Sequence, residues 1–213
     1  SVGHDEGPFS DKTSDAVAKV DALIGQLYER INALDLPVNL VVVSDHGMTP
    51  VDENMLIEVE SLSIPENFIF ENEGAQVHLY AREGVSDEHV ANEFERLNRI
   101  ASNRYIVLND KQRAKRHMEL GNRAGDIILE IAPPARFIDA NSMHISKGGH
   151  GYVNTLPDMG ATFVAVGPAF KPNTTLPVFS NLEVYPALAK ILGIASITPI
   201  DGKLKVLEQA LTL

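Results

Sequence analysis

Cysteine is absent from this chain. That excludes disulfides, thiolate metal sites and cysteine nucleophiles, but it leaves the compartment open, because oxidising and reducing locations both tolerate the absence. Long apolar runs are missing as well: no stretch approaches the roughly 18 residues that a membrane-spanning helix needs, so no membrane span is expected. Positive charge is scarce, with 18 Lys and Arg against 29 Asp and Glu and a formal net charge of −11. Such a surface is repelled by nucleic-acid backbones and anionic membranes, and neither is expected as the main partner. The basic run Lys111 to Arg116 reads as a solvated helix face. With 44% hydrophobic and 22% charged residues over 213 positions, the chain is globular in composition. It can bury one good core, or one core and a small subdomain. No internal repeat or low-complexity segment is visible.

What is present begins abruptly. Ser1-Val2-Gly3-His4-Asp5-Glu6-Gly7-Pro8 has no initiator Met, signal segment or strand before it. It reads as the middle of an active-site loop, so the chain is expected to be part of a longer protein. Apolar residues then recur at Val17, Val20, Leu23, Ile24, Leu27, Ile31 and Leu34, the three- and four-residue steps of an amphipathic helix over residues 11–34, capped by Ser10 or Thr13. Pro37 stops it. Val38 to Ser44 is a nearly continuous β-branched run, the pattern of a central parallel strand covered on both faces. Residues 65–139 change texture, with extended segments at 68–70, 75–80, 105–108 and 127–131 and helices at 87–101 and 113–120; they read as an inserted α+β subdomain. Pro133-Pro134 marks its return. After Tyr152 the chain is α/β again, with a buried strand at 161–166, a turn at Gly167-Pro168 and a helix at 182–192. The expected domains are therefore 1–64 with 140–213, and 65–139.

Three histidine-bearing words stand out. Asp45-His46-Gly47-Met48 follows the Val38–Ser44 run, and ligands of α/β sheets gather at the carboxyl ends of strands. Gly149-His150-Gly151-Tyr152 lies about a hundred residues on, and Gly3-His4 opens the chain. Neutral imidazole and carboxylate both suit zinc, which four-coordinate sites hold at about 2.0–2.2 Å. Taken singly, each word has a plain alternative: Asp45 could cap the next turn, His46 could pack in a pocket, and a glycine-flanked His150 could be merely exposed. Of the remaining histidines, His78 falls in an alternating strand, and His89 and His117 lie on helix surfaces. His144 is the one placed to approach a site.

Together these words resemble the nucleotide pyrophosphatase/phosphodiesterase family of the alkaline phosphatase superfamily. Gly3-His4-Asp5-Glu6-Gly7-Pro8 is similar to the family's Pro-Asp-x-x-Gly-His-x-x-Gly-Pro motif, entered after its Asp, and Ser44-Asp45-His46-Gly47-Met48 matches its Ser-Asp-His-Gly-Met. His150-Gly151-Tyr152-Val153-Asn154, with Met159, Phe163, Gly167-Pro168 and Phe170, resembles the His-Gly-Tyr-Asp-Asn block and the strand after it. Asn181 to Pro186, with Leu192-Gly193-Ile194, is similar to the closing helix.

The resemblance implies an alkaline-phosphatase-like α/β fold, a mostly parallel sheet flanked by helices with an inserted α+β subdomain. It also implies a phosphodiesterase with two zinc ions about 4 Å apart. His4 and His150 would hold one zinc, Asp45 and His46 the other. A further Asp would fall immediately upstream of Ser1, and another Asp and the nucleophilic Thr would lie in an N-terminal half of the protein. This chain thus carries metal ligands but no catalytic nucleophile, and alone it is expected to be inactive. In the whole enzyme a Thr alkoxide would attack phosphorus in line, giving a covalent intermediate. The implied partners are that N-terminal half and a small phosphodiester such as a nucleotide, and the implied location is periplasmic or extracellular. Val153 stands where the family has Asp, removing a polar contact that could orient His150. A phosphomonoesterase or phosphomutase of the same superfamily, or a non-catalytic metal-binding module, would carry the same donors.

Overall fold

The hydroxyl of Ser10 accepts the backbone N–H of Thr13 at 3.2 Å, and from this cap the chain runs helical to Asn32. The computed structural model describes residues 1–119, 123–195 and 198–212. In chain order its helices and strands are α1 (Val2–Glu6), α2 (Asp11–Asn32), β1 (Leu40–Val43), β2 (Thr49–Pro50), β3 (Leu56–Glu58), β4 (Phe68–Asn72), β5 (Gln76–Ala81), α3 (Asp87–Ala101), β6 (Ile106–Val107), α4 (Asp110–Lys115), β7 (Ile127–Glu130), β8 (Arg136–Ile138), β9 (Gly148–Gly149), β10 (Phe163–Val166) and α5 (Val184–Ile191). Two compact units result. One comprises Ser1–Val17 and Gly47–Gly160, the other Ala18–His46 and Ala161–Leu213.

The first unit is built on an antiparallel sheet of order β4-β5-β7-β6. Alternation along β5 sends Val77 and Leu79 into the core, where they face Leu129 and Ile127 of β7, while His78 and Tyr80 point the other way. Each fully buried Leu contributes about 1.5–3 kcal/mol by leaving water. Leu97 and Ala101 carry α3 onto the same core. Every residue of β7 is buried, Glu130 included. Its carboxylate is matched on the outer face by Arg116 Nε at 2.7 Å and Gln76 Nε2 at 3.1 Å.

Short pairings extend the unit. β3 lies parallel to β8 with Ile57 opposite Phe137, and β2 lies antiparallel to β9 with Thr49 opposite Gly149. α4 begins three residues before the expected Arg113 because Asn109 and Gln112 form a reciprocal capping box. It stops at Lys115, and His117 takes a left-handed φ of 55°. The expected helix end at Leu120 lies outside the described residues.

In the second unit β1 pairs with β10, from Leu40 opposite Val166 to Val43 opposite Phe163. This pairing is antiparallel, and Val43, Val164 and Val166 are exposed. Among the described residues, then, Val38–Ser44 has no parallel neighbours and no cover on both faces. An unbroken apolar run reports the potential for burial and says nothing about strand direction. Gly167 closes the turn after β10 at φ 134°, where a Cβ would meet Val38 O and Asn39 Oδ1 at 2.6 Å. Asn39 Oδ1 accepts the Ala169 N–H at 2.9 Å, seating Ala169 and Phe170 in a small core with Leu211. α5 is shorter than the expected 182–192, because Asn181–Glu183 turns as a 3-10 segment capped by the Ser180 hydroxyl.

Candidate metal centre

His4 sits inside the single-turn helix α1, and the reason it faces β9 is the lack of side chains between the two. A Cβ at Gly148 would collide with Gly3 O and lie 2.6 Å from Met48 Sδ, so only glycine lets the segments approach. The approach creates two hydrogen bonds. Lys147 N–H donates to His4 O at 2.7 Å, and His4 Nδ1 lies 2.9 Å from Gly148 O. A carbonyl only accepts, so Nδ1 carries the proton and, in the neutral ring, the lone pair is left on Nε2. His150 follows β9 directly, and Gly151 at φ 87° turns the chain after it. The His4 and His150 rings stand edge to face with centroids 5.1 Å apart.

The other donor pair belongs to the second unit. Asp45 Oδ1 accepts the backbone N–H of His46 at 2.9 Å, which brings Asp45 Oδ2 within 3.4 Å of His46 Nε2. Asn181 Nδ2 supports the backbone by donating to Ser44 O and Asp45 O at 3.4 and 3.3 Å. Immediately after His46, Gly47 packs so closely on Asp158 O, with Gly160 O 2.8 Å from its Cβ position, that no side chain fits.

Both pairs have the dimensions of two ligands on one tetrahedral zinc. With metal–ligand bonds of about 2.0–2.2 Å, donor atoms stand about 3.4 Å apart and imidazole centres about 5 Å apart. Each pair is only part of a shell, since a catalytic zinc takes three protein ligands. Among the described residues no group of three or more His, Cys, Asp and Glu side chains is gathered. The structure thus places His4 with His150 and Asp45 with His46, one pair in each unit.

His144 is the further histidine expected near a site, whereas the surroundings of Tyr152 and the role of Arg136 escaped the sequence reading. His144 Nε2 lies 3.3 Å from Asp5 Oδ1, beside His4. Tyr152 is buried, its hydroxyl donating to Ala135 O at 2.8 Å. Burial pushes its phenol pKa up, and the Arg136 guanidinium beside it pulls the other way. Arg136 lies against Gly149. Nothing in the spacing of Arg136 and His150 signals that β8 and β9 would bring them together. At Val153 the side chain offers no polar atom to His150, and its carbonyl accepts the Leu156 N–H at 3.1 Å in the following turn.

Comparison with known proteins identifies what the chain is similar to. Residues 1–153 match the family described as type I phosphodiesterase / nucleotide pyrophosphatase. Human ectonucleotide pyrophosphatase/phosphodiesterase family member 5 is 27% identical over 203 residues, covering 94% of this chain and 42% of that protein. Rat family member 7 is 30% identical over 216 residues, covering 99% and 49%. The solved structure of murine member 5 superposes with a TM-score of 0.86 at 27% identity, over 99% of this chain and 56% of that one. An inactive variant of it has been solved in complex with AMP, with the same score, identity and coverage. The chain spans about half the length of the curated relatives it matches.

Proposed function

This chain belongs to the type I phosphodiesterase / nucleotide pyrophosphatase family, and on that footing we propose that it supplies four of the ligands of a two-zinc site cleaving phosphodiester or pyrophosphate bonds. The observation that carries the reading is the His4–His150 arrangement, with rings 5.1 Å apart and Nδ1 of His4 committed to Gly148 O. It holds Nε2 ready as a donor before any ion arrives. Asp45 and His46 would hold the second ion through a carboxylate oxygen and Nε2. Bound zinc would supply Lewis acidity toward the phosphoryl oxygens. This chain's own residues hold and orient: α1 and β9 aim the first pair, and Asn181 braces the peptides of the second. A Thr nucleophile and two further Asp ligands are assigned to an N-terminal half of the protein, and the 213-residue chain by itself is assigned no turnover.

The substrate class we infer is a nucleotide diester or pyrophosphate, supported by AMP in the solved relative and by the name of the mouse relative, bis(5'-adenosyl)-triphosphatase. The names of the ectonucleotide relatives support a location outside the cytoplasm. Among the described residues no helix is long and apolar enough to cross a membrane. The division into 1–64 with 140–213 and an inserted 65–139 is likewise our reading, supported by the β4-β5-β7-β6 sheet and α3, which fall inside the insert.

Zinc titration of the purified chain by competition with a chromogenic chelator tests the ligand assignment. Two weak sites are expected, one lost in His150→Ala and the other in His46→Ala. Retention of both sites in both variants would overturn it. Assay of p-nitrophenyl thymidine monophosphate should show no zinc-dependent turnover by this chain alone, and product analysis with the intact protein separates diester from monoester chemistry.

A further inference from the structure

Arg136 is a half-buried residue of β8. It enters no ion pair among the described residues, and its Nη1 is buried with no hydrogen-bond partner. A buried donor in that condition is costly, and in a native fold it asks for an explanation. The side chain leaves β8 and occupies the space that a residue larger than glycine would need at two other places. A Cβ at Gly74 would run into Cζ and Nη2 and lie 2.7 Å from Nε; a Cβ at Gly149 would lie 2.8 Å from Nη1. Gly74 is held in turn by Phe137, whose N–H donates to Gly74 O at 2.8 Å, and by Asn72, whose Oδ1 accepts the Gly74 N–H at 2.9 Å. The guanidinium is therefore wedged between a braced turn and the short strand β9. Tyr152 closes the same space, with its hydroxyl 3.3 Å from the Gly149 Cβ position.

What β9 carries makes this wedge informative. Gly148 O is the acceptor for His4 Nδ1, and the residue after Gly149 is His150. Any shift of β9 moves one ring directly and releases the other from its tautomer. We propose that Arg136 is a positioning residue: wedged between Gly74 and Gly149, it sets the place of β9 and so holds His4 as the Nδ1–H tautomer at a fixed distance from His150. The consequence for metal binding rests on the zinc reading of these two histidines; the ring geometry does not.

The test uses the ¹⁵N-labelled, metal-free chain at a pH above imidazole titration, comparing wild type with Arg136→Lys, Arg136→Met and Gly149→Ala. Gly149→Ala keeps the arginine and displaces it, so it reports even if the Arg136 variants fail to fold. Long-range ¹H–¹⁵N correlation should show His4 as Nδ1–H in wild type and a shift toward Nε2–H in each folded variant. Chelator competition should show zinc affinity lower by about 10–100-fold, the usual effect of losing a contact that orients a ligand. An unchanged His4 tautomer in the folded variants overturns the proposal. If the tautomer shifts while wild type binds no zinc, the positioning role stands and the zinc reading falls.

Discussion

Glu183 shows what one side chain can organise. It is buried at 6% exposure, yet its Oε2 accepts the N–H groups of Lys205, Val206 and Leu207 at 2.9, 2.8 and 3.0 Å. Burial raises its pKa, but the three backbone donors outweigh that and hold it below the ordinary value. A depressed carboxylate pKa stabilises the fold above the unfolded value and stops doing so as pH falls through the folded one. Glu183→Ala should therefore lower stability at pH 7 by about 1–3 kcal/mol, measured by urea denaturation, with the gap to wild type closing in acid. His78 works at a different pH. Its Nδ1 accepts the Gly125 N–H at 3.3 Å and its Nε2–H donates to Gln76 Oε1 at 3.2 Å, an arrangement that only the neutral ring can make. Desolvation lowers its pKa, with Arg113 assisting and Glu73 opposing. The sign is then fixed: its contribution is intact above the ordinary imidazole value and is lost as pH falls below it. Between pH 7.5 and 5 wild type should lose more stability than His78→Gln, read from urea midpoints; parallel losses would show that His78 titrates as it does in the unfolded chain.

Among elements, the contact of α1 with β9 decides the site. It exists because Gly3 and Gly148 have no side chains, and a Cβ at Gly148 has only backbone and Met48 Sδ to displace. Gly148→Ala should separate the two, costing His4 its acceptor and lowering zinc affinity at least tenfold, while the β4-β5-β7-β6 sheet stays folded. Isothermal titration beside far-ultraviolet circular dichroism distinguishes this from general unfolding. Elements were unevenly legible in the residue order. α2 was plain because three- and four-residue periodicity and a capping hydroxyl are local signals, and α3 occupies the expected 87–101. β2, β3, β8 and β9 were not, since two- or three-residue strands exist only by virtue of distant partners such as Thr49 opposite Gly149. α4 starts before the expected Arg113 because its capping box fixes the start at Asn109.

On the scale of the whole molecule, apolar surface remains uncovered. Val20, Leu23 and Leu27 of α2 are 55%, 56% and 48% exposed, and Val43, Val164 and Val166 line the β1–β10 pair at 46%, 57% and 39%. Among the described residues, an amphipathic helix with no buried residue and a sheet of two strands favour association. The purified chain is expected to self-associate in analytical ultracentrifugation despite its charge of −11, and Leu23→Lys with Leu27→Lys should reduce this. A monodisperse wild-type monomer would refute it. Family membership and the long helices α2 and α3 could be read from residue order, because motif identity and helical periodicity are properties of short stretches; α1, expected as a loop, and the start of α4 could not. Which donors stand together, how His4 is tautomerically committed, and why Arg136 matters required three dimensions, because each depends on backbones meeting across gaps in sequence where glycine alone permits contact.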